Sequence, residues 1–112
     1  MPRNDHTIMP IYIVTSGHSP SNCPIHNEKA RKMFLESATK LGELTKKHGI
    51  KVLGNYGVIP EHKNYLIVEA NSADAFQKAM NEPDMIKWLG YNMTEIKLAI
   101  PTDEVIKMLK QL

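Results

Sequence analysis

The sequence predicts a small α+β domain in which two strand–helix–strand units interleave on one antiparallel sheet. Three observations predict it. Four runs of β-branched and other apolar residues have strand length, two intervening stretches repeat apolar residues at three- and four-residue spacing, and the middle pair of strands is separated by only a short polar turn. A chain of 112 residues can build one core but not two.

Residues 1–8, MPRNDHTI, are polar and carry no period, so they read as a flexible N-terminal tail ahead of a folded domain spanning 9–112. Ile11 to Thr15 are almost continuously apolar, as a central strand covered on both faces should be, and Ser16-Gly17 ends the run. Gly17 to Asn27, GHSPSNCPIHN, is a long loop by its prolines and small polar residues. Asn27 suits the N-cap of a helix with Glu28 in its first turn. The helix carries Ala30, Met33, Phe34, Ala38, Leu41 and Leu44 on one face and stops at His48-Gly49.

Ile50 to Ile59 reads as a second strand loosened by Gly54 and Gly57, which commonly mark bulges. Pro60 to Asn64 turns the chain into a third strand, Tyr65 to Ala70, and the short gap makes the pair a hairpin. Ser72 caps a second helix that buries Ala75, Phe76, Ala79 and Met80, and Pro83 breaks it before Met85, Ile86, Trp88 and Leu89 resume the pattern. Asn92 to Ile100 alternates as a half-exposed strand, and Thr102 caps a last helix packing Val105, Ile106, Leu109 and Leu112. The order is the ferredoxin-like β-α-β-β-α-β arrangement with an extra C-terminal helix. It implies a sheet of order 4-1-3-2 with both main helices on one face.

Composition excludes several function classes. Hydrophobic residues at 42% against 23% charged exclude a disordered chain, and no apolar run approaches the roughly 20 residues of a membrane span. The net charge of +2 is small and the lysines are dispersed, which argues against nucleic acid as a partner. One cysteine cannot form an internal disulfide, and the N-terminus lacks a secretory pattern, so the expected location is cytoplasmic.

The predicted topology carries the functional reading. The first strand and the second run in the same direction, so the loop after the first strand and the turn of the hairpin share one end of the sheet. That brings His18, Cys23 and His26 of the loop toward His62 of the turn. Imidazole and thiolate are ligands for zinc, nickel, copper or iron, and Cys23-x-x-His26 has workable spacing, so the four are the candidate metal ligands, with Glu61 a candidate oxygen ligand or supporting group. Cys23 also precedes a helix N-terminus, which favours a nucleophilic thiolate; a buried, inert thiol is the simpler alternative.

A second function reading is a cofactor-independent oxygenase or isomerase acting on a small apolar substrate between the first helix and the sheet. Asn55, Tyr56, Tyr12 and His62 would orient it, with walls from Met33, Phe34, Phe76 and Trp88, although apolar residues at helical spacing are also ordinary core. A third is a non-catalytic association module. Glu36 with Lys40 and Glu43 with Lys47 are expected solvated i,i+4 pairs. No glycine-rich phosphate loop has the required strand–turn–helix context, and no serine–histidine–aspartate motif stands out.

The sheet's second face also needs covering, and a homodimer packing two sheets face to face would do it, with the terminal helix or the fourth strand at the seam and Trp88 and Tyr91 as possible anchors. By this order of elements, over Met9 to Leu112, the chain resembles the dimeric α+β-barrel superfamily. HSPSNCP (His18 to Pro24), PEHKNYLIVEA (Pro60 to Ala70) and TEIKLAIPTDEVIKML (Thr94 to Leu109) look like small stand-alone prokaryotic domains of that kind. The superfamily includes muconolactone isomerases, cofactor-free and haem-degrading monooxygenases, and metal-binding families. The resemblance implies a dimeric barrel and carries over no catalytic residue, because the oxygenases' catalytic pattern does not map onto these positions.

Overall fold

The computed structural model describes residues 9–112, the side chain of Tyr91 excepted; the tail predicted over 1–8 and the interface role read for Tyr91 lie outside the described residues. The elements follow the predicted order: β1 Ile11–Gly17, α1 Glu28–Lys47, β2 Lys51–Val58, β3 Lys63–Glu69, α2 Ala73–Met80, α3 Pro83–Tyr91, β4 Met93–Ala99 and α4 Thr102–Lys110. The strands form one antiparallel sheet in the order β2-β3-β1-β4, which is the predicted 4-1-3-2 read from the other edge.

Local chemistry sets the boundaries. The Asn27 side chain accepts from the Ala30 N–H at 3.0 Å and opens α1, and Ser72 Oγ does the same for Ala75 in α2 at 3.0 Å. Gly49 ends α1 at φ +64, a left-handed conformation that glycine adopts without strain. The register of β2 against β3 shifts between Val52 and Gly54, where the glycine predicts a bulge. Pro83 occupies the first turn of α3, where its missing N–H costs nothing.

Period-two alternation divides the sheet into two faces. Tyr12, Val14, Leu66 and Val68 face the helices and pack with Leu44 of α1, Phe76 and Ala79 of α2, and Met85 and Trp88 of α3. Tyr12 stacks flat on Phe76 with centroids 3.8 Å apart. Lys40 and Lys47 do not serve the predicted pairs within α1; they reach Asp84 at 3.1 Å and Glu82 at 2.8 Å, tying α1 to the α2–α3 junction. His48 Nε2 meets the same Glu82 oxygen at 2.8 Å.

The last helix departs from expectation. Pro101, not Thr102, holds the cap position of α4, with no side-chain cap. Val105, Ile106, Leu109 and Leu112 are exposed rather than packed, Leu109 by 61%. Apolar surface is open on the helix-bearing face at β4, where Ile96 and Leu98 lie beside Val14 and Tyr12 and are 44% and 65% exposed, but α4 does not fold back to cover it. The radius of gyration is 16.0 Å, against roughly 13 Å for a compact chain of this length. No helix among the described residues is long and apolar enough to cross a membrane.

Lys47 and His48, by their hydrogen bonds, hold the Glu82 carboxyl below its ordinary 4.5, so its contribution to stability is present above that value and lost as pH falls through the lower folded value. Glu82→Gln should therefore lower the thermal midpoint at pH 7, and the difference from the parent should vanish in acid. Thermal melts across pH 2–7 check this.

Candidate metal centre

The β1–β3 ladder ends with Gly17 opposite Lys63, and one step further the His18 N–H donates to the His62 carbonyl at 3.0 Å. Residues Ile59–Glu61 form a single tight turn that delivers His62 in the left-handed region, φ 56 and ψ 40, a conformation histidine tolerates better than branched residues. The two imidazoles meet edge to face, with centroids 5.4 Å apart and planes at 75°.

Cys23 arrives from the loop. A one-turn helix at Pro20–Asn22 precedes it, and the Cys23 carbonyl accepts from the His26 and Asn27 N–H groups at 3.0 and 2.8 Å. Asn27 Nδ2 donates to the Ser21 carbonyl at 3.2 Å, while Arg31 donates from Nε to Pro24 and from Nη2 to Ile25, both at 2.9 Å. The first turn of α1 thus clamps the loop from both sides of the cysteine. Arg31 escaped the sequence reading because its role is to bind backbone carbonyls, which leave no signature in residue types.

His18, Cys23 and His62 come together: one ligand atom from each lies within 4.8 Å of the others, with Cys23 only 4% exposed. His18 Nε2 and His62 Nδ1 are buried and make no hydrogen bond among the described residues. Leaving such a group unpaired costs about 1–3 kcal/mol. Zinc bond lengths to sulfur and nitrogen imply ligand atoms roughly 3.3–3.7 Å apart, so closing on an ion requires side-chain adjustments of about an ångström. His26 is not brought in: the turn after Cys23 leaves it exposed at the rim. Glu61 is exposed also, its carboxylate within 3.4 Å of the Tyr65 hydroxyl.

Burial, and after it the neighbouring His62, holds the His18 imidazole below its ordinary 6.5. It is therefore neutral near pH 7, the form a metal ion requires.

The same face of the sheet continues inward as a graded surface. Ser16 lies between Asn64 and Thr94 on the neighbouring strands, and the next rung, Val14 between Leu66 and Ile96, is apolar. Above these lies a chamber of about 90 Å³ between α1 and α3, walled by Phe34, Leu41, Leu44, Met85 and Trp88. Phe34 meets Trp88 edge to face at 5.6 Å. Of the groups expected to orient a small ligand, Asn55 lines the chamber and hydrogen-bonds Asn64 at 2.9 Å, whereas Tyr12 is stacked in the core and Tyr56 is exposed.

No protein-family model matches the chain, and no curated protein matches it in sequence. Solved structures do match in fold. A NipSnap family protein of unknown function from Agrobacterium tumefaciens aligns with a TM-score of 0.56 at 19% identity, over 86% of this chain and 90% of that one. A second structure of that protein gives 0.55 at 19%, over 83% and 93%. The protein PA3566 from Pseudomonas aeruginosa gives 0.50 at 11% identity, over 86% and 97%. At these identities the likeness is one of fold, and it supports the small α+β domain with an antiparallel sheet.

Because the unfolded chain binds a proton at His18 more readily than the folded one, metal-free protein should lose stability as pH falls through about 6.5, levelling off below the folded value. His18→Asn should flatten this part of the curve. Urea midpoints at pH 7.5, 6.5 and 5.5 check it.

Proposed function

We propose that this protein binds a transition metal ion through His18, Cys23 and His62. The observation that carries the reading is the convergence of two imidazoles and a buried thiol from two remote segments, each imidazole also having a buried nitrogen without a hydrogen-bond partner among the described residues. Two imidazoles and a thiolate form a borderline-soft donor set that suits Zn²⁺ first, with copper, nickel and iron as competitors. Three protein ligands leave a coordination position for another molecule, as sites that act on a substrate do, whereas structural zinc sites are closed by four. A reducing cytoplasm suits an unpaired thiol ligand.

Protein purified without chelator should hold about one metal ion per chain, measured by plasma emission. Cys23→Ala and His62→Ala should each weaken Zn²⁺ by more than the roughly 10–100-fold that loss of a mere supporting residue costs, while His26→Ala should leave affinity unchanged. Full metal content in both ligand variants would refute the ligand set.

The chain is also proposed to form a homodimer. Ile11, Ile13 and Ile67 lie on the sheet face away from the helices, and α4 presents an exposed apolar stripe that nothing among the described residues covers. A second copy supplies a matching sheet and helix by symmetry. Sedimentation should give twice the chain mass, and Leu109→Glu should shift the equilibrium to monomer while leaving metal content intact.

A further inference from the structure

We infer that a small uncharged molecule with an apolar body and one oxygen function binds beside the metal centre, its body in the chamber beneath α1 and its oxygen at the Ser16–Thr94 rung. Only the nearness of an ion rests on the metal reading; the seat of the molecule stands on separate observations.

Buried side-chain atoms without a hydrogen-bond partner occur, among the described residues, at His18 Nε2, His62 Nδ1 and Thr94 Oγ1. They come from three separate segments, yet all belong to one end of one sheet face. Thr94 lies opposite Ser16, one rung in from the histidines, and the hydroxyl of Ser16 stands on the same face as His18 because strand side chains alternate. A hydrogen-bonding group of a ligand seated at this rung would satisfy Thr94 and stand about 7 Å, one side-chain repeat, from the metal ligands. Asn64, on the other side of Ser16, donates from Nδ2 to Asn55 Oδ1 at 2.9 Å, so a pair of amides borders the hydroxyls on the β3 side.

Beyond the hydroxyl rung the surface turns apolar at Val14 and Leu66, and the chamber opens above them. Its charged lining residues, Lys40 and Asp84, neutralise each other at 3.1 Å. An ionic occupant would shed its hydration there without a counter-charge, which selects an uncharged one. The volume of about 90 Å³ is less than the ~150 Å³ of a cavity that accepts benzene, so the body is a short chain or small ring. Phe34 and Ala38 at the rim are exposed, which leaves an entrance.

Trp88 is the single tryptophan of the chain and lines the chamber, so its emission reports occupancy with or without metal. Titration of metal-free protein with 1-pentanol should shift that emission saturably, and pentanoate should bind at least about tenfold more weakly. Thr94→Val and Ser16→Ala should each weaken 1-pentanol about tenfold, Thr94→Ser should restore it, and Ala38→Phe should abolish it by filling the entrance. In Co²⁺-loaded protein 1-pentanol should perturb the visible bands, and less so in Thr94→Val. A response that does not saturate, equal binding of pentanoate, or indifference to both hydroxyl variants overturns the inference. Variant-sensitive binding of 1-pentanol in protein that takes up no Co²⁺ supports the seat while refuting the metal reading.

Discussion

Gly17 lies opposite Lys63 in the antiparallel ladder joining β1 to β3, and that one register brings two histidines, 44 positions apart in the chain, onto adjacent backbone at the sheet's end. A slip by one residue would turn every side chain of β1 to the opposite face. Val14 and Tyr12 would leave the core, and with them His18 would leave His62. The apolar core therefore fixes the geometry of the polar end: the burial that makes Val14 and Val68 face the helices is what makes His18 face His62. Site and core share one constraint.

The third member of the cluster is held differently. Cys23 sits in a loop that no ladder orders, and its position depends on α1. Asn27 and Arg31, in the first turn of that helix, bind the carbonyls on either side of it, so the helix that roofs the core also pins the loop. α1 is in turn anchored at its far end by Lys47, His48 and Glu82. The three side chains are thus held together by a strand end, a hairpin and a helix-clamped loop.

Polarity along the helix-bearing face changes in an ordered way, from apolar at Val14 and Leu66, to hydroxyl and amide at Ser16, Thr94 and Asn64, to imidazole at His18 and His62. Ser16, Thr94 and Asn64 occupy strand positions on the face whose next rung, Val14 with Leu66 and Ile96, is apolar. The polar rungs reduce the apolar area available for burial, and among the described residues no side chain fully buries a large apolar group. A domain that yields core in this way, while leaving α4 and the outer sheet face open, gains more from association than a fully packed one.

Element order, helix caps at Asn27 and Ser72, the bulge near Gly54 and the meeting of the first loop with the hairpin turn were all legible from residue types and spacing, because they rest on local chemistry and on the few ways four strands can be joined. The sequence by itself therefore determined the architecture and nominated one end of the sheet. Tertiary structure alone decided the rest. It left His26 exposed and outside the group formed by His18, Cys23 and His62; it redirected Lys40 and Lys47 from partners within α1 to Asp84 and Glu82; it left the apolar stripe of α4 exposed. In each instance the outcome depends on distances between residues far apart in the chain. Spacing along a sequence does not encode those distances until packing has fixed them.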